Sequence, residues 1–206
     1  MSKKVLITGA TGNIASLIIP QLIEKGIDVR AFTRNASKAE KLKVKGVEII
    51  EGDFSSAEKL NEATKGVDVV LSITPPGAEA FAQAAAITKA AKENGVKHLI
   101  RISAIGAAED APTDNGRIHH QTDEDIIASG IPYTILRPNF YMQNVFMSVP
   151  TILEHGNMYW GKGDWFAEMM TDYSRAYGEG WCDLKIMISK PSQANNREVF
   201  SSFLMK

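Results

Sequence analysis

Short runs of apolar and β-branched residues alternate along the chain with longer segments rich in Ala, Glu, Lys and Leu. Short apolar runs are typical of strands, and longer segments with apolar residues three or four positions apart are typical of helices. The pattern predicts strands at residues 5–7, 29–32, 47–50, 67–73, 98–102 and 133–136. In the first helical segment, the residues expected on one apolar face are Ile14, Leu17, Ile18 and Leu22.

A glycine stands between each of five helical segments and the strand that follows. These glycines are Gly26, Gly46, Gly66, Gly95 and Gly130. The residue just past a helix often adopts a left-handed conformation, which glycine takes without a steric penalty. The nearly continuous apolar run at residues 67–71 indicates strands that are buried on both faces. We therefore predict an α/β fold with a doubly wound parallel sheet of the Rossmann type.

The alternating pattern fades after Pro150, which suggests two parts of unequal size. We predict an NAD(P)-binding Rossmann domain over residues 1–150 and a small, shortened C-terminal cap over residues 151–206. One helix is expected in the cap, at residues 166–177. Its shared apolar face would consist of Phe166, Met169, Met170, Tyr173 and Tyr177.

Composition and charge argue against several classes of function. The 206 residues carry a net charge of −1 without a basic cluster, so nucleic acid is not expected as the main partner. No segment has the roughly 20 consecutive apolar residues of a membrane helix, and the N-terminus lacks the apolar stretch of a signal peptide. The single cysteine, Cys182, excludes an internal disulfide and a cysteine-based metal site. We expect a cytoplasmic protein with no metal and no membrane partner.

The strongest chemical motif directly follows the first predicted strand and opens the first helix. It reads Gly9-Ala10-Thr11-Gly12-Asn13-Ile14-Ala15. Gly9 permits a tight turn, Gly12 lets a pyrophosphate approach the backbone, and the N–H groups of the helix N-terminus attract the anion. Ala15 is small enough for close helix–strand packing. In this strand–turn–helix context the motif predicts a dinucleotide site, with a plain glycine turn as the alternative.

The residues after the second strand bear on the choice of cofactor. An NAD site places an acidic residue there to bind the ribose hydroxyls. This chain instead has Arg34, followed by Lys38. The guanidinium fork of Arg34 suits a 2′-phosphate, and Lys38 would add a second positive charge. The sequence therefore favours NADP(H) over NAD(H), with a solvated Arg34 as the alternative.

Two further segments at strand ends complete the predicted cofactor site. Asp53 would accept from the adenine amino group while Phe54 packs beside the ring, although a turn-forming Asp53 is equally plausible. Thr74 and Pro75 end the fourth strand, where the nicotinamide half of a dinucleotide would pass.

With these elements in place, the sequence resembles the atypical short-chain dehydrogenases/reductases. Within them it is most similar to the NmrA-like group that includes triphenylmethane reductase and NADPH:quinone reductases. The resemblance rests on residues 5–12, on Gly52-Asp53, on Ile102-Ser103-Ala104 and on the stretch SGIPYTILRPNFYMQN at residues 129–144. It implies an NAD(P)(H) cofactor, and either reduction of quinones or dyes or a redox-sensing regulatory role.

The resemblance also implies candidate catalytic residues. Catalytic members of the wider family use Ser, Tyr and Lys, with Tyr and Lys four positions apart, and this chain has no Tyr-x-x-x-Lys. Ser103 matches the serine, and His119 matches a histidine of the quinone-reductase-like members; a surface histidine is the alternative. An ordinary ketone needs a proton donor, which an unperturbed histidine can be, whereas a quinone or cationic dye accepts hydride by positioning alone.

The residues after the sixth strand are candidates for substrate binding, because ligands bind at the carboxyl ends of strands in such sheets. They are Asn139, Phe140, Tyr141 and Asn144. Packing of the cap on the core is the alternative for the two aromatic residues.

The sequence departs from the family after Asp164, where the middle of the family's substrate domain is missing. The tryptophans and methionines of the cap suggest an apolar surface that a second subunit, a flat aromatic ligand or the cap's own core would cover. The first possibility predicts a homo-oligomer formed through the C-terminal region.

Three functions follow from these observations. The favoured one is an NADPH-dependent reductase of quinone-like or dye-like acceptors, supported by His119 and the aromatic residues after the sixth strand. The second is a non-catalytic, NADP(H)-binding redox sensor. The third is a remnant whose shortened cap no longer closes a pocket.

Overall fold

The computed structural model describes residues 3–43, 46–139, 141 and 149–155. Contacts divide the chain after Pro138. The described residues up to Pro138 form one compact unit, and Asn139, Tyr141 and residues 149–155 belong to a second. The predicted helix at residues 166–177 lies outside the described residues, and the predicted domain boundary at residue 150 stays a prediction.

Strands and helices alternate through the first unit as the apolar pattern predicts. The strands are β1 (Lys4–Ile7), β2 (Asp28–Thr33), β3 (Glu48–Glu51), β4 (Val69–Ser72), β5 (His98–Ile102) and β6 (Tyr133–Leu136). The helices are α1 (Asn13–Glu24), α2 (Ala36–Lys43), α3 (Ala57–Thr64), α4 (Ala80–Glu93) and α5 (Asp114–Ala128), with α6 (Val149–His155) in the second unit. Each strand lies within two residues of its predicted bounds.

The six strands form one parallel sheet in the order β3-β2-β1-β4-β5-β6. The chain winds outward from β1 to β3 and then, in the opposite direction, from β4 to β6. Every residue of β4 and β5 is buried, as expected for parallel strands covered on both faces. The prediction of a doubly wound Rossmann sheet is confirmed.

Each face of the sheet is covered by helices. On one face α3, α4 and α5 pack side by side, and Leu6, Phe32, Val70 and Leu99 of the sheet join the core cluster beneath them. The alternate residues of β1 on the opposite face are equally buried. Burial on both faces removes the central strands from water and provides most of the stabilisation of this unit.

Helix α1 differs from its sequence-based prediction in the face that it buries. Its buried residues are Ala15, Ile19 and Leu22, whereas Leu17 is 46% exposed. The expected apolar face was therefore wrong at Leu17, whereas Ile14 and Ile18 are partly buried and Leu22 is buried. Ala15 explains the difference, because a small side chain at this point lets the start of the helix approach the sheet closely.

The five glycines that precede strands all have positive φ angles, between 67° and 79°, as predicted. At Gly26 the chain shows why this conformation is needed. The N–H of Gly26 donates to the carbonyl of Ile23, and the N–H of Ile27 donates to that of Leu22, so the end of α1 is closed before β2 begins.

Candidate cofactor-binding and active site

The turn between β1 and α1 is built around two glycines. Gly9 has a φ of +60°, and a Cβ there would lie 3.1 Å from the carbonyl oxygen of Ile73. Gly12 donates its N–H to the carbonyl of Gly9 at 2.9 Å, and a Cβ at Gly12 would lie 3.1 Å from the same oxygen. Thr11, Gly12 and Asn13 are exposed. The turn therefore presents bare backbone to solvent at the carboxyl edge of the sheet.

The N-terminus of α1 is open to an anion. Its N-cap is Gly12, which has no side chain to accept from the first-turn amides, and no acidic residue lies in that turn. By contrast, the Ser56 and Thr113 hydroxyls cap α3 and α5. No described residue accepts from the amides of residues 13–15 of α1. These donors, together with the positive end of the helix dipole, fit the pyrophosphate of a dinucleotide.

Thr8 joins the two strands that border this turn. Its hydroxyl donates to the carbonyl of Ile73 and accepts from the N–H of the same residue, both at 2.8 Å. The side chain is fully buried. Because β1 and β4 flank the point where the strand order reverses, Thr8 fixes both walls of the crevice in which such sheets bind ligands. Sequence reasoning missed this role, although a threonine directly after the first strand was a visible signal.

Arg34 directly follows β2 and Lys38 lies in the first turn of α2, and both are exposed. The guanidinium of Arg34 forms no hydrogen bond or ion pair with a described residue. The Asn35 side chain accepts from the N–H of Lys38 at 3.1 Å and so caps α2. Glu51 also reaches this helix, because its Oε1 accepts from the N–H of Ala36 at 3.1 Å. The sheet edge thus presents two cations to solvent beside the exposed turn.

Asp53 and Phe54 already have partners within the protein. The Oδ1 of Asp53 accepts from the N–H of Ser55 at 2.9 Å, which with a smaller contribution from the Arg34 charge lowers the pKa of the Asp53 carboxyl. Phe54 is 8% exposed and packs edge-to-face on Phe32, with 5.6 Å between ring centroids. Asp53 therefore forms the turn that was the alternative interpretation, and the adenine contacts of both residues stay predictions.

Thr74, at the end of β4, contacts a buried arginine. Its hydroxyl accepts from the Nη1 of Arg101 at 3.1 Å, and the same nitrogen lies 3.4 Å from the carbonyl of Ser72. Arg101 is 1% exposed. Burial lowers the pKa of Arg101 to about 10, against the opposing effect of the Asp123 charge, so the guanidinium stays charged at neutral pH. Pro75 is exposed.

A buried carboxylate joins the ends of β5 and β6. The Oδ2 of Asp123 accepts from the hydroxyl of Ser103 at 2.9 Å, and from the Nε and Nη2 of Arg137 at 3.1 and 3.0 Å. Its Oδ1 has no partner among the described residues. Burial raises the pKa of Asp123, opposed by the Ser103 hydrogen bond and the charges of Arg137 and Arg101. The hydroxyl proton of Ser103, a candidate catalytic residue, therefore points to Asp123.

His119 precedes Asp123 by one turn of α5 and is partly buried. Its Nδ1 is enclosed and has no partner among the described residues. Burial, with a smaller effect of the Arg101 charge, lowers the pKa of His119 to about 4. The intrinsic pKa that makes a histidine a candidate proton donor is therefore lowered at this position, and the catalytic role of His119 stays a prediction. At neutral pH the imidazole is uncharged, so it can offer a hydrogen bond but carries no extra proton to release.

The candidate substrate residues are only partly within the described chain. Asn139 and Tyr141 are partly buried and belong to the second unit, and burial raises the pKa of the Tyr141 hydroxyl. Phe140 and Asn144 lie outside the described residues. The substrate-binding roles of all four stay predictions.

Sequence reasoning missed the charged cluster of Arg101, Asp123 and Arg137. One signal was available. Arg101 interrupts the apolar run Leu99–Ile102 of β5, and an arginine in an inner strand has to be buried and needs a counterion. A search for that counterion on the neighbouring helix would have reached Asp123.

Comparison with known proteins agrees with this geometry. The model of a family described as NAD(P)H-binding matches residues 9–176. The chain belongs to this NAD(P)H-binding family. The match begins at Gly9 and includes the glycine turn, the segment after β2 and the buried cluster.

Among relatives in the NAD(P)H-binding family, an NAD(P)H azoreductase from Xenophilus azovorans is 36% identical over 160 residues, which are 78% of this chain and 56% of the relative. The NADPH complex of a quinone oxidoreductase from Escherichia coli has a TM-score of 0.67 and 31% identity, covering 74% of this chain and 54% of that one. A triphenylmethane reductase from a Citrobacter species has a TM-score of 0.64 and 32% identity, covering 73% and 53%. The resemblance to the NmrA-like short-chain dehydrogenases/reductases is confirmed. The chain spans about half the length of these relatives.

Membrane-spanning helices and clusters of metal-binding side chains are both absent from the part of the chain that the structure describes. No helix there has both the length and the apolar character needed to cross a membrane. No group of three or more His, Cys, Asp or Glu side chains in that part of the chain is arranged to hold a metal ion.

Proposed function

We propose that the protein is an NADPH-dependent oxidoreductase that transfers hydride to a quinone-like or dye-like conjugated acceptor. The observation that carries the proposal is the uncapped, exposed N-terminus of α1 beside the reversal point of the sheet, with Arg34 and Lys38 following β2. The amides suit the pyrophosphate, and the two cations suit a 2′-phosphate. The names of the relatives supply the acceptor class, since they are reductases of azo compounds, quinones and triphenylmethane dyes.

The chemistry of the described residues supports an acceptor that needs little help from the protein. A bound NADPH supplies a hydride from C4 of its nicotinamide, which carries two electrons and one proton to the acceptor. His119 is neutral at pH 7, and the Ser103 hydroxyl donates to Asp123. Neither is a ready proton donor. A quinone reduced in this way takes its remaining proton from water, and a cationic dye needs none.

A non-catalytic, NADP(H)-binding regulator is the second candidate. It is favoured by the finding that Ser103 is buried and donates to Asp123, and that the Nδ1 of the partly buried His119 is enclosed. A regulator has to distinguish the redox states of its ligand, because a ligand bound equally in both protein states shifts no equilibrium. The cytoplasmic location and the homo-oligomer through residues 151–206 remain proposals under either function.

The first experiment is a titration of the purified protein with NADPH and with NADH, followed by nicotinamide fluorescence, after which menadione is added to the same sample. Tight binding of NADPH and loss of the signal on adding menadione would support the reductase. Binding without oxidation by menadione or a panel of azo and triphenylmethane dyes would favour the regulator. Failure to bind either nucleotide would refute both.

Arg34→Gln tests the cofactor preference. Because Arg34 is exposed and lacks a described partner, the substitution should leave stability unchanged and raise the Kd for NADPH about tenfold or more. The Kd for NADH should not change, since NADH has no 2′-phosphate. Lys89→Gln, an exposed charge on α4, is the matched control and should affect neither nucleotide. An equal loss of affinity for NADPH and NADH would contradict the role of Arg34.

A further inference from the structure

Arg101 is a cation enclosed within the sheet next to the proposed cofactor crevice. It lies in β5, on the strand beside β4, and is 1% exposed. Its Nη1 donates to the carbonyl of Ser72, the last residue of β4, and to the hydroxyl of Thr74 two residues later. The guanidinium is therefore fixed against the carboxyl end of β4, one of the two strands between which the sheet order reverses.

The charges around Arg101 leave an excess of one positive charge. Among the described carboxylates, only that of Asp123 has a resolved effect on Arg101. The hydrogen bonds of this carboxylate go elsewhere, because its Oδ2 accepts from two nitrogens of Arg137 and from the Ser103 hydroxyl, so it acts on Arg101 only through its charge. His119 faces the same group and is neutral at pH 7. The charge of one carboxylate thus acts on two guanidiniums. Arg101 and Asp123 are buried, where a charge acts more strongly than in water, whereas the Arg137 side chain is 35% exposed.

Stability gives no reason for an arginine at this position. An apolar side chain of similar volume in place of a buried ion pair is often neutral or stabilising. The Nε of Arg101 has no partner among the described residues, so part of its hydrogen-bonding capacity is unused in the fold. A role of the positive charge toward a ligand accounts for the residue better than packing does.

We propose that Arg101 makes the cofactor site prefer the reduced nicotinamide to the oxidised one. The inference rests on the proposed function, in which the nicotinamide half passes Thr74 at the end of β4. The ring of NADP⁺ is positively charged and that of NADPH is neutral, so a fixed cation nearby weakens the binding of NADP⁺ selectively. In a reductase this charge promotes release of the oxidised product. In a regulator it supplies the discrimination between redox states on which signalling depends.

The test compares dissociation constants for NADPH, by fluorescence, and for NADP⁺, by competition, in two variants. Arg101→Met removes the charge but keeps a long side chain, and Arg101→Lys keeps the charge. We expect the ratio Kd(NADP⁺)/Kd(NADPH) to fall about tenfold in the Met variant, which corresponds to about 1.4 kcal/mol. It should stay within about twofold of the wild-type ratio in the Lys variant. Arg117→Met, on the exposed side of α5, is the control for the substitution itself.

Each result separates this inference from the proposed function. Binding of NADPH by the wild type tests the proposed function, and the ratio in the variants tests Arg101. If Arg101→Met weakens both nucleotides equally or leaves the ratio unchanged, Arg101 is only structural and the inference is wrong. If the Met variant does not fold, Asp123→Asn gives a test of opposite sign. Loss of the shared carboxylate increases the positive excess, so the ratio should rise, and an unchanged or lower ratio would overturn the inference.

Discussion

Gly52 lies between β3 and Asp53 at a point where the structure has no room for a side chain. A Cβ at Gly52 would lie 2.7 Å from the Cβ of Lys59 and 2.8 Å from the Cε2 of Phe32. The Lys59 Cβ moves only with the backbone of α3, whose first turn is held by the Ser56 hydroxyl. Phe32 is 1% exposed and cannot rotate without disturbing the core. Gly52→Ala should therefore force β3 and α3 apart.

The magnitude follows from two contacts that are both shorter than real Cβ atoms tolerate. Overpacking a filled core lowers the free energy of unfolding by about 1–3 kcal/mol. Because Gly52→Ala creates two clashes at once, we expect it to lower the free energy of unfolding by about 2–3 kcal/mol. For a protein of this size the melting temperature should fall by roughly 4–12 °C. Backbone strain does not contribute, because the φ of Gly52 is not in the left-handed region. Without the clash, alanine would stabilise slightly by restricting the unfolded chain.

The assay is urea unfolding of the single variants Gly52→Ala and Gly66→Ala, and of two double variants in which each substitution is combined with Phe32→Leu. Gly66 has a φ of +69° and no atom within 4 Å of a Cβ, so its penalty is conformational and should add to that of Phe32→Leu. The Gly52 penalty should shrink in the double variant, because the smaller side chain makes space. A Gly52→Ala protein within about 0.5 kcal/mol of the wild type, or strict additivity with Phe32→Leu, would refute the steric argument.

Two further predictions concern the buried cluster. The unfolded chain protonates His119 near pH 6.5 and the folded chain near pH 4, so stability should fall as the pH drops through that window. His119→Gln should weaken the dependence of the free energy of unfolding on pH, measured by urea titrations at several pH values. His120→Gln is the control. An unchanged pH dependence in His119→Gln, or the same weakening in His120→Gln, would contradict the assignment of this effect to His119. Asp123→Ala should cost about 2–4 kcal/mol, because Arg137 and a buried hydroxyl lose their acceptor. The exposed Glu124→Ala should stay within about 0.5 kcal/mol, and equal effects of the two substitutions would show that the buried hydrogen bonds contribute little.

The fold was predictable because its determinants are local in sequence. Buried parallel strands appear as short apolar runs, and the residue that ends each preceding helix must accept a positive φ, which glycine does. The glycine turn between β1 and α1 was predictable for the same reason. Gly9 and Gly12 are required by close backbone contacts within a few residues of the first strand, so their spacing alone carries the signal.

The remaining features depend on contacts between distant segments. The prediction that Leu17 lies on the buried face of α1 was wrong. The pattern of apolar residues favoured burial of Leu17, whereas the close approach of the helix to the sheet favours burial of the small Ala15. The cluster was missed because Arg101, Asp123 and Arg137 come from β5, α5 and the end of β6. Each is a residue type common on surfaces, and only the parallel order of the strands brings them together.

The cluster also explains why Ser103 is an unsuitable proton donor despite matching the family's serine. Donation to a substrate would require its hydroxyl to leave Asp123, whose Oδ1 already lacks a partner among the described residues. The carboxylate would then keep only the hydrogen bonds from Arg137, and each lost hydrogen bond to a charged group costs about 1.5–3 kcal/mol. Water at the mouth of the crevice has no such cost. Under the proposed reductase function, the protein would contribute placement of the two reactants and, if the inference on Arg101 holds, a fixed positive field. Its acceptor would have to be electrophilic enough to take hydride before it is protonated, which separates quinones and cationic dyes from simple ketones.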